Sequence, residues 1–160
     1  MASHLTLALI KPHIHMRRQA GKVLERIEAE GFAIVGAKLT QLMPEGVKEF
    51  YEEHKGKPFF PNLVQVMASG PIWALALAKP NAVEEWRKVI GATHPAEAEP
   101  GTLRADFGEH DNVTNNAVHG SADEWAAQRE INFFFGSDIR LAEKARRLRE
   151  EETKLPPRSK

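Results

Sequence analysis

Apolar positions along the chain fall into short runs and helical stripes, set apart by glycine and proline. Leu5 to Ile10 is apolar except at Thr6 and stops at Lys11-Pro12. That pattern reads as a buried strand, because proline cannot donate to a ladder. Ala20, Val23, Leu24 and Ile27 follow an i, i+3, i+4, i+7 spacing and predict an amphipathic helix that Gly31 ends. Phe32 to Leu42 reads as a long strand. Pro44 suits the first turn of a helix with Val47, Phe50, Tyr51 and His54 on one face, broken by Gly56 and Pro58. Phe59 to Ser69 gives a further helical piece closed by Gly70-Pro71, and Ile72 to Ala78 a third strand. Asn81, with Glu84 three residues on, reads as the N-cap of a helix striped by Val83, Trp86, Val89 and Ile90.

From Gly91 to Asn116 the periodicity disappears among Gly, Pro, Thr, Asn, Asp and His. Irregular stretches of this length inside a compact domain commonly serve function. Asn116 to Gly120 reads as a short extended segment. Ser121-Ala-Asp-Glu124 has the form of a capping box that starts a helix running to about Phe135. Collapsed to its core, the order is βαββαβ. This is the ferredoxin-like arrangement of the α+β class, a four-stranded antiparallel sheet with additional helices. One domain over residues 1–140 is expected, followed by a charged tail over 141–160 that forms a solvated helix and frays by Pro156-Pro157.

Composition narrows the picture. The 160 residues suit one domain, and 42% hydrophobic residues suffice for a core. Lys plus Arg and Asp plus Glu number 22 each, so the formal charge is zero. That balance argues against a dedicated nucleic-acid binder, whose affinity rests on neutralising phosphates. There is no cysteine, which excludes disulfides and thiolate metal sites. The apolar run near the N-terminus is too short to span a bilayer, so a soluble, cytoplasmic protein is expected.

The long loop and its flanks carry Arg87, Lys88, Thr93 and Arg104, with Lys11 further off. Arginine forks and lysine point charges suit phosphate oxygens, and phosphoryl transfer rests mainly on positioning and charge. His119 stands between the short strand and the capped helix, followed by Gly120, which would let a substrate or backbone approach closely. A neutral imidazole is a good nucleophile but needs a partner to orient its ring. Glu130 on the next helix is a candidate for that partner. His13 and His15 could lie on one side of an extended segment, but no third metal ligand is near in sequence. Phe59 and Phe60 follow Lys57-Pro58, and Val113 lies in the polar loop. An aromatic ring there could stack on a nucleobase or simply fill the core.

These residues together resemble the nucleoside diphosphate kinase family from about Leu5 to Phe135. The family signature looks like Asn-x-x-His-Gly-Ser-Asp, and this chain reads Asn116-Ala-Val-His119-Gly-Ser121-Ala122. Matching segments follow in order: LALIKP at 7–12, YEEHKGKPFFPNLV at 51–64, MASGP at 67–71, GATHPAEAEPGTLRADFG at 91–108, and the region of Glu130. The resemblance implies a ping-pong enzyme using Mg²⁺ and nucleoside tri- and diphosphates. It implies a base held between Phe59 and Val113, and ribose hydroxyls bound by Lys11 and Asn116. It implies phosphates met by His54, Arg87, Thr93 and Arg104, with Tyr51 and Lys11 near the transferred group. His119 would take the γ-phosphate, Glu130 would orient its ring, and Ser121 would support that pair. A homo-oligomer is implied, a hexamer by preference, otherwise a tetramer or dimer.

The chain departs from the family pattern at Ala122, where Asp is usual, and at His13, where Lys-Pro-Asp is usual. The segment from Arg104 to Asn116 is about two residues longer. The rival readings are a family member that binds nucleotide without efficient catalysis, and a ferredoxin-like nucleic-acid module. Intact Lys11, Tyr51, Arg87, Thr93, Arg104, Asn116, His119 and Glu130 weigh against the first. Zero net charge weighs against the second.

Overall fold

The computed structural model describes residues 4–136 and 148–154. The elements run β1 (Leu5–Ile10), α1 (Pro12–Met16), α2 (Ala20–Ala29), β2 (Ala33–Thr40), α3 (Pro44–Phe50), α4 (Phe60–Met67), β3 (Ile72–Ala78), α5 (Ala82–Ile90), α6 (Leu103–Phe107), β4 (Val118–Gly120) and α7 (Glu124–Phe135). Single 3₁₀ turns occupy Glu52–His54 and Pro95–Glu97. The strands form one antiparallel sheet in the order β2-β3-β1-β4, the ferredoxin-like order. Residues 148–154 are helical, but most of the expected tail and its boundary with the domain lie outside the described residues.

Both faces of the sheet are covered, which explains why β1 and β3 read as continuous apolar runs rather than alternating ones. Ala8 and Ile10 of β1, with Leu75 and Leu77 of β3, pack against Val23 and Ile27 of α2 and Trp86 and Ile90 of α5. Leu7 and Leu9, with Ile72 and Ala74, face the other way onto Val47 and Phe50 of α3, Met67 of α4 and Phe134 of α7. Thr6 shares the first face with Ala8 by the two-residue period, and its fully buried hydroxyl has no hydrogen-bond partner.

Several sequence expectations change in detail. The second strand spans Ala33–Thr40 and is shorter than the apolar run, with a bulge between Ile34 and Gly36. Asn81 precedes α5 in a left-handed conformation, φ 56°, and its side chain caps nothing. The capping residue of α7 is Asp123, whose carboxylate accepts the Ala126 N–H at 2.8 Å, and not Ser121, which is buried. His54 is off the α3 face, in the 3₁₀ turn after it. The loop after α5 is not wholly irregular. Thr102 caps the short α6, a start signal (Gly101-Thr102) hidden by the surrounding polar residues.

Candidate active site

The C-terminal end of β1, the segment after α3, the start of α4, α5, α6, the loop before β4, β4 itself and α7 together enclose a cleft of about 560 Å³. Lys11, Tyr51, His54, Phe59, Arg87, Thr93, Arg104, Val113, Asn116, His119 and Glu130 all line it. Ser121 does not: it lies behind Glu130, fully buried.

His119 sits in β4 opposite Leu9 of β1, so the sheet fixes its backbone. Its Nε2 lies 2.7 Å from Glu130 Oε1. Glu130 is 2% exposed and also accepts the Ser121 hydroxyl at 3.0 Å. Ser121 Oγ in turn accepts the Leu7 N–H at 3.2 Å, which ties the carboxylate to the central strand. The rings of Phe50 and Tyr51 meet the imidazole edge-to-face at 5.4 and 5.8 Å. With Nε2–H donated to Glu130, the Nδ1 lone pair is left for chemistry.

The cationic wall is preset. Lys11 is 5% exposed and donates to the Thr114 carbonyl at 3.1 Å. Burial, and secondly the Arg104 charge, push its pKa down to about 7. Arg104 donates to the Gly91 and Val118 carbonyls, both at 3.1 Å, and burial lowers its pKa to about 10. Burial above all, with the Glu130 carboxylate, holds the Tyr51 phenol far above its ordinary value, so it remains an O–H donor. His54 stacks on Tyr51 at 5.9 Å and meets Phe59 edge-to-face at 5.4 Å. Its pKa is lowered chiefly by burial, against the pull of Glu53. Asn116 donates to the Thr93 carbonyl at 2.9 Å. Tyr51 Oη, Asn116 Oδ1, Arg104 Nε and His54 Nδ1 are buried without hydrogen-bond partners, four polar atoms gathered at one cleft. Buried polar groups are rarely left so, and such a gathering is what a polar ligand would satisfy.

A model of the nucleoside diphosphate kinase family matches residues 4–139. The chain belongs to the nucleoside diphosphate kinase family. Solved structures agree. The Aquifex aeolicus nucleoside diphosphate kinase superposes with a TM-score of 0.80 at 38% identity, over 84% of this chain and 96% of that one. The halophilic Halobacterium salinarum enzyme in complex with CDP gives 0.80 at 37%, over 85% and 90%. The Encephalitozoon cuniculi enzyme gives 0.80 at 31%, over 85% and 91%. The activity is therefore that of a nucleotide-binding phosphotransferase, a nucleoside-diphosphate kinase. No helix among the described residues is long and apolar enough to cross a membrane.

Sequence reasoning missed several participants. Trp86 is more than core: its indole N–H donates to the His119 carbonyl at 3.2 Å. Gly120 lines the cleft, and its missing Cβ also serves packing on the far side of the strand. A Cβ there would come within 2.8 Å of Trp86 Cδ1, so the glycine lets α5 approach β4. Glu53 and Thr114 also line the cleft, Thr114 using a backbone carbonyl that no side-chain pattern announces. His13 and His15 lie on the short α1, not on an extended segment, and take different partners. His13 Nε2 accepts the Ala117 N–H at 3.0 Å, and His15 Nδ1 accepts the Trp73 indole N–H at 3.2 Å.

Proposed function

We propose that His119 is the residue that carries the phosphate, and that the cleft around it holds the nucleotide. The observation that carries this reading is the His119 Nε2–Glu130 contact of 2.7 Å at the base of a cleft lined by Lys11, Arg87 and Arg104. In the first half-reaction the Nδ1 lone pair forms an N–P bond to the γ-phosphorus. The bond from that phosphorus to the β–γ bridging oxygen breaks, and nucleoside diphosphate leaves. A second diphosphate attacks the phosphohistidine, and His119 is regenerated. Glu130 fixes the ring and offsets the positive charge that develops on it; Ser121 holds Glu130. Lys11, His54, Arg87, Thr93 and Arg104 receive the phosphates. Tyr51 donates its hydroxyl to the moving group, Asn116 and Lys11 meet the ribose, and Phe59 and Val113 hold the base. The CDP in complex with the Halobacterium salinarum relative supports a nucleotide as the ligand.

Among the described residues no group of three His, Asp or Glu side chains could cage a metal ion. Such a donor set fits a Mg²⁺ that arrives on the nucleotide's own phosphate oxygens, with Glu53 the cleft carboxylate not engaged by His119. A Mg²⁺ held there would supply charge neutralisation at the phosphate. The chain acts as a cytoplasmic homo-oligomer, a hexamer by preference. The edge strand β2, with Leu39 exposed, supports assembly by offering an unpaired edge, and light scattering of the full chain tests it.

The deciding experiment incubates protein with γ-labelled ATP and Mg²⁺, then chases with GDP. Acid-labile, base-stable label on wild type, absent from His119→Ala and released as GTP, is expected. Steady-state transfer by folded His119→Ala would sink the assignment.

A further inference from the structure

The peptide just before the strand that carries His119 is strained. Ala117 has φ 73°, a region that L-residues with a Cβ avoid. Val118 N donates to Asn116 O at 2.9 Å, which closes a three-residue turn of the rare kind with positive φ at its centre. Glycine is the natural occupant of such a position, yet alanine stands here. Strain of this sort persists only where the surroundings over-determine it.

Those surroundings come from the end of β1 and from α1. Lys11 N donates to Ala117 O at 2.9 Å, and the Ala117 N–H donates to His13 Nε2 at 3.0 Å. Both polar groups of Ala117 are thus held by a segment three residues long. His13 is buried, and its Nδ1 has no partner, so the ring leaves one nitrogen unsatisfied while keeping the other on Ala117. To accept that N–H the imidazole must be neutral. The charged groups around it are Arg17, Glu109 and Lys11, and burial first, then the Arg17 charge, lowers its pKa to about 4. A second tie runs in parallel. Arg17 pairs with Glu109, which also accepts from Asn115 Nδ2 at 2.9 Å, so α1 grips the loop before Ala117 as well.

We propose that His13 is a positioning residue for phosphoryl transfer, whose neutral Nε2 locks the strained turn at Ala117 and so sets Asn116 on one side and His119 on the other. The inference rests on His119 being the phosphorylated residue. Without the acceptor, the Ala117 N–H would be buried and unpaired, and the turn would relax toward negative φ. Asn116 would then lose its register with Thr93, and His119 its aim into the cleft.

Rapid-quench phosphorylation with saturating γ-labelled ATP tests this, because the rate constant and the amplitude of labelling separate two causes. A residue that only supports folding changes the amplitude, since fewer molecules are active. A positioning residue changes the rate constant. His13→Ala is expected to lower the rate constant by about tenfold or more, as small misplacements of reacting groups do. His13→Gln places a carbonyl where Nε2 was and should recover most of the rate; His13→Asn is one methylene shorter and should not. In an Ala117→Gly background, where positive φ costs little, loss of His13 should matter less. Equal rate constants for His13→Gln and His13→Asn, or a wild-type rate constant in His13→Ala, would overturn the proposal. Failure of the wild type to take label on His119 would instead overturn the reading of the site beneath it.

Discussion

Replacing Lys11 with methionine should make the nucleotide-free protein more stable at neutral pH while removing most of its activity. Lys11 is 5% exposed, and its pKa is driven from 10.5 to about 7. A depressed lysine pKa means the fold disfavours the ammonium. Below pH 7 both folded and unfolded chains hold the proton, and the full penalty applies, roughly 5 kcal/mol at 1.36 per unit. Between pH 7 and 10.5 the unfolded chain binds more protons, so wild-type stability rises with pH and the penalty fades. Methionine fills similar space without charge, but leaves the Thr114 carbonyl that Lys11 now satisfies at 3.1 Å unpaired, a loss of roughly 1–3 kcal/mol. That offset is constant with pH. The advantage of Lys11→Met should therefore shrink by roughly 2–3 kcal/mol from pH 6.5 to pH 9, whatever its absolute size. Urea unfolding of both proteins at the same protein concentration reads this directly, because any assembly would make stability depend on concentration. A difference that stays flat over the interval would refute the buried, depressed lysine. With the phosphates meeting Lys11 as proposed, the wild type should take up protons on binding nucleotide above pH 7, because the anion would restore the ammonium.

Three further substitutions probe separate links. Glu130→Gln keeps the shape but removes the charge behind His119, and the phosphorylation rate constant should fall by at least about tenfold by rapid quench; an unchanged rate would mean the 2.7 Å contact is only structural. Thr6→Val removes a fully buried, unpartnered hydroxyl at constant shape, so stability should rise by about 1 kcal/mol and the Tm by about 2–4 °C in a calorimetric scan. A lower Tm would reveal a partner for that hydroxyl. Gly120→Ala drives a methyl to 2.8 Å from Trp86 and 2.9 Å from Ile90, which should cost about 1–3 kcal/mol and weaken the Trp86 bond to the His119 carbonyl. Wild-type stability in that variant would contradict the close packing of α5 on β4.

Much of the fold was legible because hydrophobic periodicity reports burial directly. β1 and β3 read correctly to the residue, since strands buried on both faces are almost wholly apolar, with Thr6 the one exception. The misreadings arose where one polar residue could serve two purposes. Asn81 fits a cap by composition, but its tolerance of positive φ was what the turn before α5 required. Thr102 and α6 were lost because a five-residue helix carries too little periodicity to stand out. The lining of the candidate cleft was legible by residue type but not by contact. Cationic side chains stand out in the sequence as candidates for phosphate, whereas the carbonyls of Thr114, Gly91 and Val118 that hold Lys11 and Arg104 carry no sequence signal.

The run from Asn116 to Ser121 shows why a motif is tighter than its chemistry alone demands. Successive side chains of a strand alternate between faces. Val118 and Gly120 therefore turn toward the α5 side, Val118 into that core and Gly120 against Trp86. His119 and Ser121 turn the other way, toward α7, where one carboxylate can reach both: Glu130 Oε1 lies 2.7 Å from His119 Nε2 and 3.0 Å from Ser121 Oγ. The serine is needed two places after the histidine because the pleat repeats every two residues. The glycine between them is needed because α5 packs on the opposite face without room for a methyl. Ala122, where the family pattern has Asp, lies beyond this alternation, exposed at the cleft, while the duty of capping α7 falls one residue later on Asp123. The departure at Ala122 thus leaves the hydrogen-bonded chain from His119 through Glu130 and Ser121 to Leu7 intact.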